Sequence, residues 1–269
     1  MLNLYSRARA SQLPALHVVV HTFVMVLVAL ALSGCVIESD DGRGPRIAPS
    51  AQRVSAQLEL AKGYITSHEL NRARGALENA LKLDSAAWEA HDLMATVLLQ
   101  DGESALAAKS WQMAIRHGGG ARARRNYASF LMSVGRYAEA CPQLLAASTE
   151  LEYANRPQVY EDLGKCERAI GHDQAAAQAY NRAIELNAKQ PDAQLALAEL
   201  LFNQKEYVQS SAAYQQFRSQ AQQNARSLWL GVRIARAMND ADAEASHALM
   251  LRNQFPDSAE YRLFQESTP

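Results

Sequence analysis

Two kinds of apolar pattern run along the 269-residue chain. The first is one unbroken stretch of ten residues, 23–32, with Arg7 and Arg9 upstream and no acidic residue before Glu38. A bilayer-spanning helix needs about 18–20 such residues, so this run falls short of a span and suits the apolar segment of a signal peptide. The second pattern is periodic: small and apolar residues recur at spacings of three and four, as on one face of a helix. Ala61, Ala73, Leu77 and Ala80 begin a set that returns 34 residues later as Ala95, Ala107, Trp111 and Ala114. Further copies run through Ala128, Ala140, Leu144 and Ala147; Gly164, Ala176, Tyr180 and Ala183; and Ala198, Ser210, Tyr214 and Phe217. Gly231, Ala243, His247 and Met250 make a weaker sixth. The pattern predicts an all-α domain over 51–269, with repeats near 54–87, 88–120, 121–154, 157–190, 191–223 and 224–257.

A period of this length, with small residues where two helices cross and a large one between them, resembles the tetratricopeptide repeat. The resemblance covers nearly all of residues 51–264 and implies a right-handed superhelical array of about six helix-turn-helix units. One pair of helices cannot bury its own apolar face, so the pairs stack into a continuous core. Three departures stand out. Gly118, Gly119 and Gly120 replace the usual Asp-Pro turn, which is expected to let that junction flex. Pro142 is expected to start the second helix of its repeat late or to kink it. Residues 148–157 lengthen the connection after the third repeat, so a two-part array is one expectation.

The apolar run ends in Leu32-Ser33-Gly34-Cys35, which resembles the bacterial lipobox. That resemblance implies removal of residues 1–34 and acylation of Cys35 as a membrane anchor. Val36 and Ile37 are not the Asp that retains many lipoproteins at the inner membrane, so the outer membrane, facing the periplasm, is expected. Residues 38–50 are polar and rich in Gly and Pro, so 35–50 is expected to be a lipidated, flexible tether. Losing Arg7 and Arg9 from 27 basic side chains leaves 25 against 28 acidic ones, a net charge of −3. Such a balance gives no reason to expect a nucleic-acid partner.

Little else points to chemistry. His117-Gly118-Gly119-Gly120 matches the oxyanion loop of esterases, but no G-x-S-x-G nucleophile elbow accompanies it. His172-Asp173 has no partners at metal-ligand spacing. With repeats filling the chain, no enzyme, cofactor, metal site or small-molecule substrate is expected. The basic run 121–125, with Arg116, reads as a solvated face or as a docking patch for acidic segments. Cys141 and Cys166 fall on helices that adjoin in this fold. In an oxidising compartment they form a disulfide, or else remain two buried small hydrophobes.

The concave face of such an array is lined by fixed positions of each first helix. These give Ser55, Leu58, Lys62 and Ile65; Glu89, Asp92, Thr96 and Leu99; and Arg122, Arg125, Ser129 and Met132. Leu58, Ile65, Leu99 and Met132 are expected to be apolar groove residues, with Lys62, Asp92 and Thr96 as polar contacts for a peptide. Trp229 and Val232 are expected to form a second patch. The alternative is that the tether or a terminal helix covers these positions.

The lipobox, the six repeats, "RYAEACPQLLAA" (136–147) and the closing "ALMLRNQFPDSAEYRLF" (248–264) together resemble the PilF/PilW-type pilus biogenesis lipoproteins, the pilotins of type IV pilus systems. This resemblance implies a monomeric assembly factor that binds the pilus secretin and promotes its outer-membrane localisation and oligomerisation. A periplasmic scaffold for peptidoglycan hydrolases or other envelope assembly proteins is the alternative.

Overall fold

In the computed structural model, which describes residues 49–267, thirteen helices follow one another. The signal segment, Cys35 and the tether up to residue 48 lie outside the described residues. The helices pair along the chain: α1 (Ser50–Thr66) with α2 (Leu70–Leu83), α3 (Trp88–Gln100) with α4 (Ser104–Arg116), and α5 (Gly120–Ser133) with α6 (Tyr137–Ser148). Next come α7 (Arg156–Ala169) with α8 (Asp173–Leu186), α9 (Pro191–Asn203) with α10 (Tyr207–Gln220), and α11 (Ala225–Ala237) with α12 (Ala241–Gln254). A short α13 (Ala259–Glu266) closes the array. The first helix starts at Ser50, inside what the sequence pattern assigns to the tether.

Each pair turns back on itself in the same way. The hinge residue has positive φ in all six: His68, Gly102, Gly135, Gly171, Lys205 and Asn239. The N–H of the next residue reaches back to a carbonyl five residues earlier, as Glu69 to Tyr64 and Arg136 to Leu131, both at 2.8 Å. This closure satisfies carbonyls that a helix end leaves orphaned. Glycine adopts the conformation freely, whereas His68 and Lys205 hold it against a penalty of roughly 1 kcal/mol each.

Small residues set how closely paired helices approach. Ala61, Ala95, Ala128 and Ala198 on the first helices, and Ala73, Ala107, Ala140, Ala176 and Ser210 on the second, are fully buried. At Gly164 a Cβ would sit 2.6 Å from the Tyr180 ring, and at Gly231 it would collide with Tyr214 and His247. These glycines are where a large residue of the second helix lies directly over the first.

The expected weak junctions are closed. A Cβ on Gly119 would come within 2.6 Å of Ala123 and 2.9 Å of the Ala114 carbonyl. The glycine run therefore forms a tight turn between α4 and α5 and not a hinge. Pro142 lies well inside α6, which starts at Tyr137, so the helix is not delayed. The chain from Pro49 onward is a single unit, without a break after the third repeat. Arg156 Nε donates to the Ser148 carbonyl across the longer connection, at 2.9 Å. Cys141 on α6 and Cys166 on α7 are joined by a disulfide, with Cα atoms 5.6 Å apart. Both are buried in the central core with Leu144, Val159 and Leu163.

Replacing Cys141 and Cys166 together with Ser should lower stability by about 3 kcal/mol, the worth of closing a loop of this size. Chemical denaturation of oxidised wild type and the double variant measures it.

Candidate functional site

The first helices α1, α3, α5, α7, α9 and α11 line one face of the array, and a chain of polar contacts links each to the next. Lys62 Nζ reaches Glu89 at 2.9 Å while also holding Glu59 on its own helix at 2.8 Å. Arg122 approaches Glu89 and Asp92, with Nε 3.4 Å from the latter. Arg125 Nε donates to Asp162 at 2.8 Å. Glu199 receives Arg168 at 2.8 Å from the preceding repeat and a bidentate fork from Arg226 in the following one. The basic run 121–125 is thus spent on neighbours: Arg122 and Arg125 pair with acids, and Arg124 donates to Gln143.

Two carboxylates of this ladder are buried, and their environments act in opposite directions. Asp92 is 1% exposed and accepts from Trp111 Nε1 at 3.1 Å and from Asn126 Nδ2 at 2.9 Å. Burial pushes its carboxyl up, and Asn126, Arg122 and Trp111 offset this only in part. Burial also pushes Glu199 up, but the hydrogen bonds from Arg226 and Arg168 outweigh it and hold the group below the ordinary carboxylate range.

This geometry corrects several groove assignments. Leu58 is 7% exposed and packs with Ala61, Leu77, Ala90 and Val97 in the core of the first repeats, so a partner cannot use it. Asp92 is a buried structural acceptor. Its side chain turns toward the α4 indole because Trp111 would otherwise bury an unpaired N–H. Val232 is wholly buried, one position off the face that Trp229 occupies. Ile65 and Met132 are half-covered by their own cores, and the Thr96 hydroxyl donates within its helix to the Asp92 carbonyl. Leu99, 37% exposed, remains available on the face, and Lys62 stands there as a paired cation.

At the C-terminal end, α13 packs beside α11, with Phe264 edge-on to Trp229 at 6.5 Å. The sixth repeat contributes Arg226, Trp229, Arg233 and Arg236 to the first-helix face. Sequence reasoning missed Glu199 and the arginines around it. The signal was present: Lys165, Glu199 and Arg233 are spaced by 34 residues. Among the described residues, no three His, Cys, Asp or Glu side chains gather to hold a metal ion. None of the described helices is long and apolar enough to cross a membrane.

Asp92→Ala should cost about 1–3 kcal/mol by stranding the Trp111 and Asn126 donors, and Asp92→Asn less, since its amide oxygen still accepts. Thermal melts rank the two. For Glu199 the folded value lies below the unfolded one, so its pairing stabilises above about pH 4.3 and is lost as pH falls through the folded value. Because Arg226 is more than half exposed, Glu199→Gln should cost only about 1–2 kcal/mol at pH 7. Urea titrations across pH should show the two proteins converging in acid.

Comparison with known proteins places this architecture. No family model matches the chain. It is 33% identical to the type IV pilus assembly protein PilF of Pseudomonas aeruginosa over 247 residues, covering 91% of this chain and 98% of that protein. The solved structure of Pseudomonas aeruginosa PilF superposes with a TM-score of 0.72 at 33% identity, covering 81% of this chain and 98% of that one. The type IV pilus biogenesis factor PilW superposes with a TM-score of 0.65 at 22% identity, covering 80% of this chain and 99% of that one. YrrB, a tetratricopeptide-repeat protein, shares the fold at 17% identity and a TM-score of 0.51, over 71% of this chain and 89% of its own. With a relative of that identity matched over almost its whole length, the chain belongs to the PilF family of type IV pilus assembly proteins, built as a tetratricopeptide-repeat solenoid.

Proposed function

We propose that this protein is a non-enzymatic, lipid-anchored pilotin that binds the type IV pilus secretin on its first-helix face. Acylation of Cys35 carries the complex to the outer membrane, where the secretin oligomerises. Each buried methylene of the lipid contributes about 0.8 kcal/mol, and several chains together hold the protein stably. The repeats supply a rigid surface, because the polar ladder fixes each first helix against the next before a partner arrives.

The observation that carries this reading is the match to PilF over 91% of the chain and 98% of that protein. A solenoid's docking surface is distributed over its repeats, so end-to-end coverage keeps that surface whole. The lipobox-like Leu32-Ser33-Gly34-Cys35 adds the anchor.

Deleting the gene should abolish detergent-resistant secretin multimers in outer-membrane fractions, and wild-type protein should restore them. Multimers that persist unchanged would overturn the reading. In complementation, Leu99→Asp should reduce secretin co-purification several-fold while leaving the melting temperature within a few degrees, since Leu99 faces solvent.

A further inference from the structure

Among the described residues, Arg233 on the first-helix face has no carboxylate within salt-bridge distance. Lys62, Arg122, Arg125, Lys165, Arg168, Arg226 and Arg236 each lie within salt-bridge distance of an acid. Arg233, in the middle of α11, does not. Its guanidinium lies over the Phe202 ring, 4.7 Å from the centroid, and over Trp229 at 5.7 Å. Its Nε is buried with no hydrogen-bond acceptor. Two rings therefore flank the group, while its Nε–H goes unused.

The charge around it is unbalanced. Glu199 is the buried acid of this end of the ladder, and it already answers to both Arg168 and Arg226. Arg233 stands close enough to feel the same carboxylate without bonding it. Glu199 is thus the one carboxylate that all three guanidiniums feel, with Glu260 acting on Arg226 besides. Desolvation makes this costly: burial presses the Arg233 pKa below its usual value. A structural arginine is ordinarily buried with its partner, because an unpaired buried charge is destabilising. A pre-oriented, unpaired guanidinium flanked by aromatic surface has the properties of an anion receptor: planar, forked, and held in place before binding.

We propose that Arg233, flanked by Phe202 and Trp229, is a receptor for a carboxylate of the docked protein, so that repeats five and six read an acidic segment. The aromatic rings accept the apolar part of that segment, and the guanidinium takes its Asp, Glu or terminal carboxylate. The identity of the partner as the secretin rests on the function proposed above; the carboxylate site itself does not.

The test has two arms, both on the full-length protein in detergent. In the first, the guanidinium ¹⁵N resonances of Arg233 are followed while a hexaglutamate peptide, its hexaglutamine counterpart or anionic phospholipid micelles are added. A saturable shift with hexaglutamate and none with hexaglutamine is expected. No shift with hexaglutamate, or an equal one with hexaglutamine, overturns the site, and a shift with the micelles alone overturns it in favour of a lipid. In the second arm, purified secretin is titrated against wild type, Arg233→Glu and Arg233→Lys, with circular dichroism confirming the fold of each. Arg233→Glu should lose at least about tenfold in affinity, Arg233→Lys less, and wild-type binding should weaken with salt. Unchanged binding by a folded Arg233→Glu protein would sink the role of Arg233 in secretin docking while leaving the pilotin reading intact. If wild type does not bind secretin at all, the pilotin reading fails, and the peptide arm alone decides the carboxylate site.

Discussion

Everything in this molecule hangs on how closely two helices can approach within each repeat. Ala61 and Ala73, and their counterparts along the chain, bring the two backbones together, and Gly164 and Gly231 do so where Tyr180 and His247 of the second helix lie directly across. The left-handed hinge residue then returns the chain antiparallel at a fixed offset. A larger side chain at any of these crossings would push the pair apart and disturb the stacking of the next repeat, because protein interiors are packed too densely to absorb the shift locally. Close crossings make a repeat thin, and thin repeats stack with their first helices side by side.

That side-by-side placement creates the polar ladder. Acids and bases on adjacent first helices come within bonding distance only because the helices are held at a regular spacing. The ladder contributes modestly to stability where its members are exposed. Its larger consequence is to settle which groups on the face remain available. Lys62, Arg122 and Arg125 are paired with acids of neighbouring repeats, whereas Leu99 is exposed and Arg233 meets only aromatic rings there. An assembly factor built this way meets its partner with a surface already ordered, so less conformational entropy is lost on binding.

The two ends of the array are finished differently. At the N-terminal end α1 uses Val54, Leu58 and Ala61 to cover the first core. At the other end α13 lies beside α11, and its Phe264 meets Trp229. The last helices also carry the explicit caps, with Asn224, Asp240 and Ser258 each accepting from a backbone N–H. The middle of the array has the disulfide, which ties α6 to α7 across the longest connection between repeats.

The sequence by itself determined the class of fold, the number of repeats and the helices that Cys141 and Cys166 join. Each follows from a local signal: helical periodicity, the 34-residue return of small residues, and the assignment of neighbouring cysteines to adjoining helices. It did not determine which first-helix residues face outward. Leu58 and Asp92 occupy groove positions by counting, yet one is drawn into the core and the other turned to a buried indole. Val232 and Arg233 differ by one step in register, about 100° around a helix, which separates core from face. Nor could counting reveal that Glu199 satisfies two arginines and leaves a third unpaired. Periodicity is a property of one chain segment, whereas exposure and charge balance depend on side chains from three repeats meeting in space.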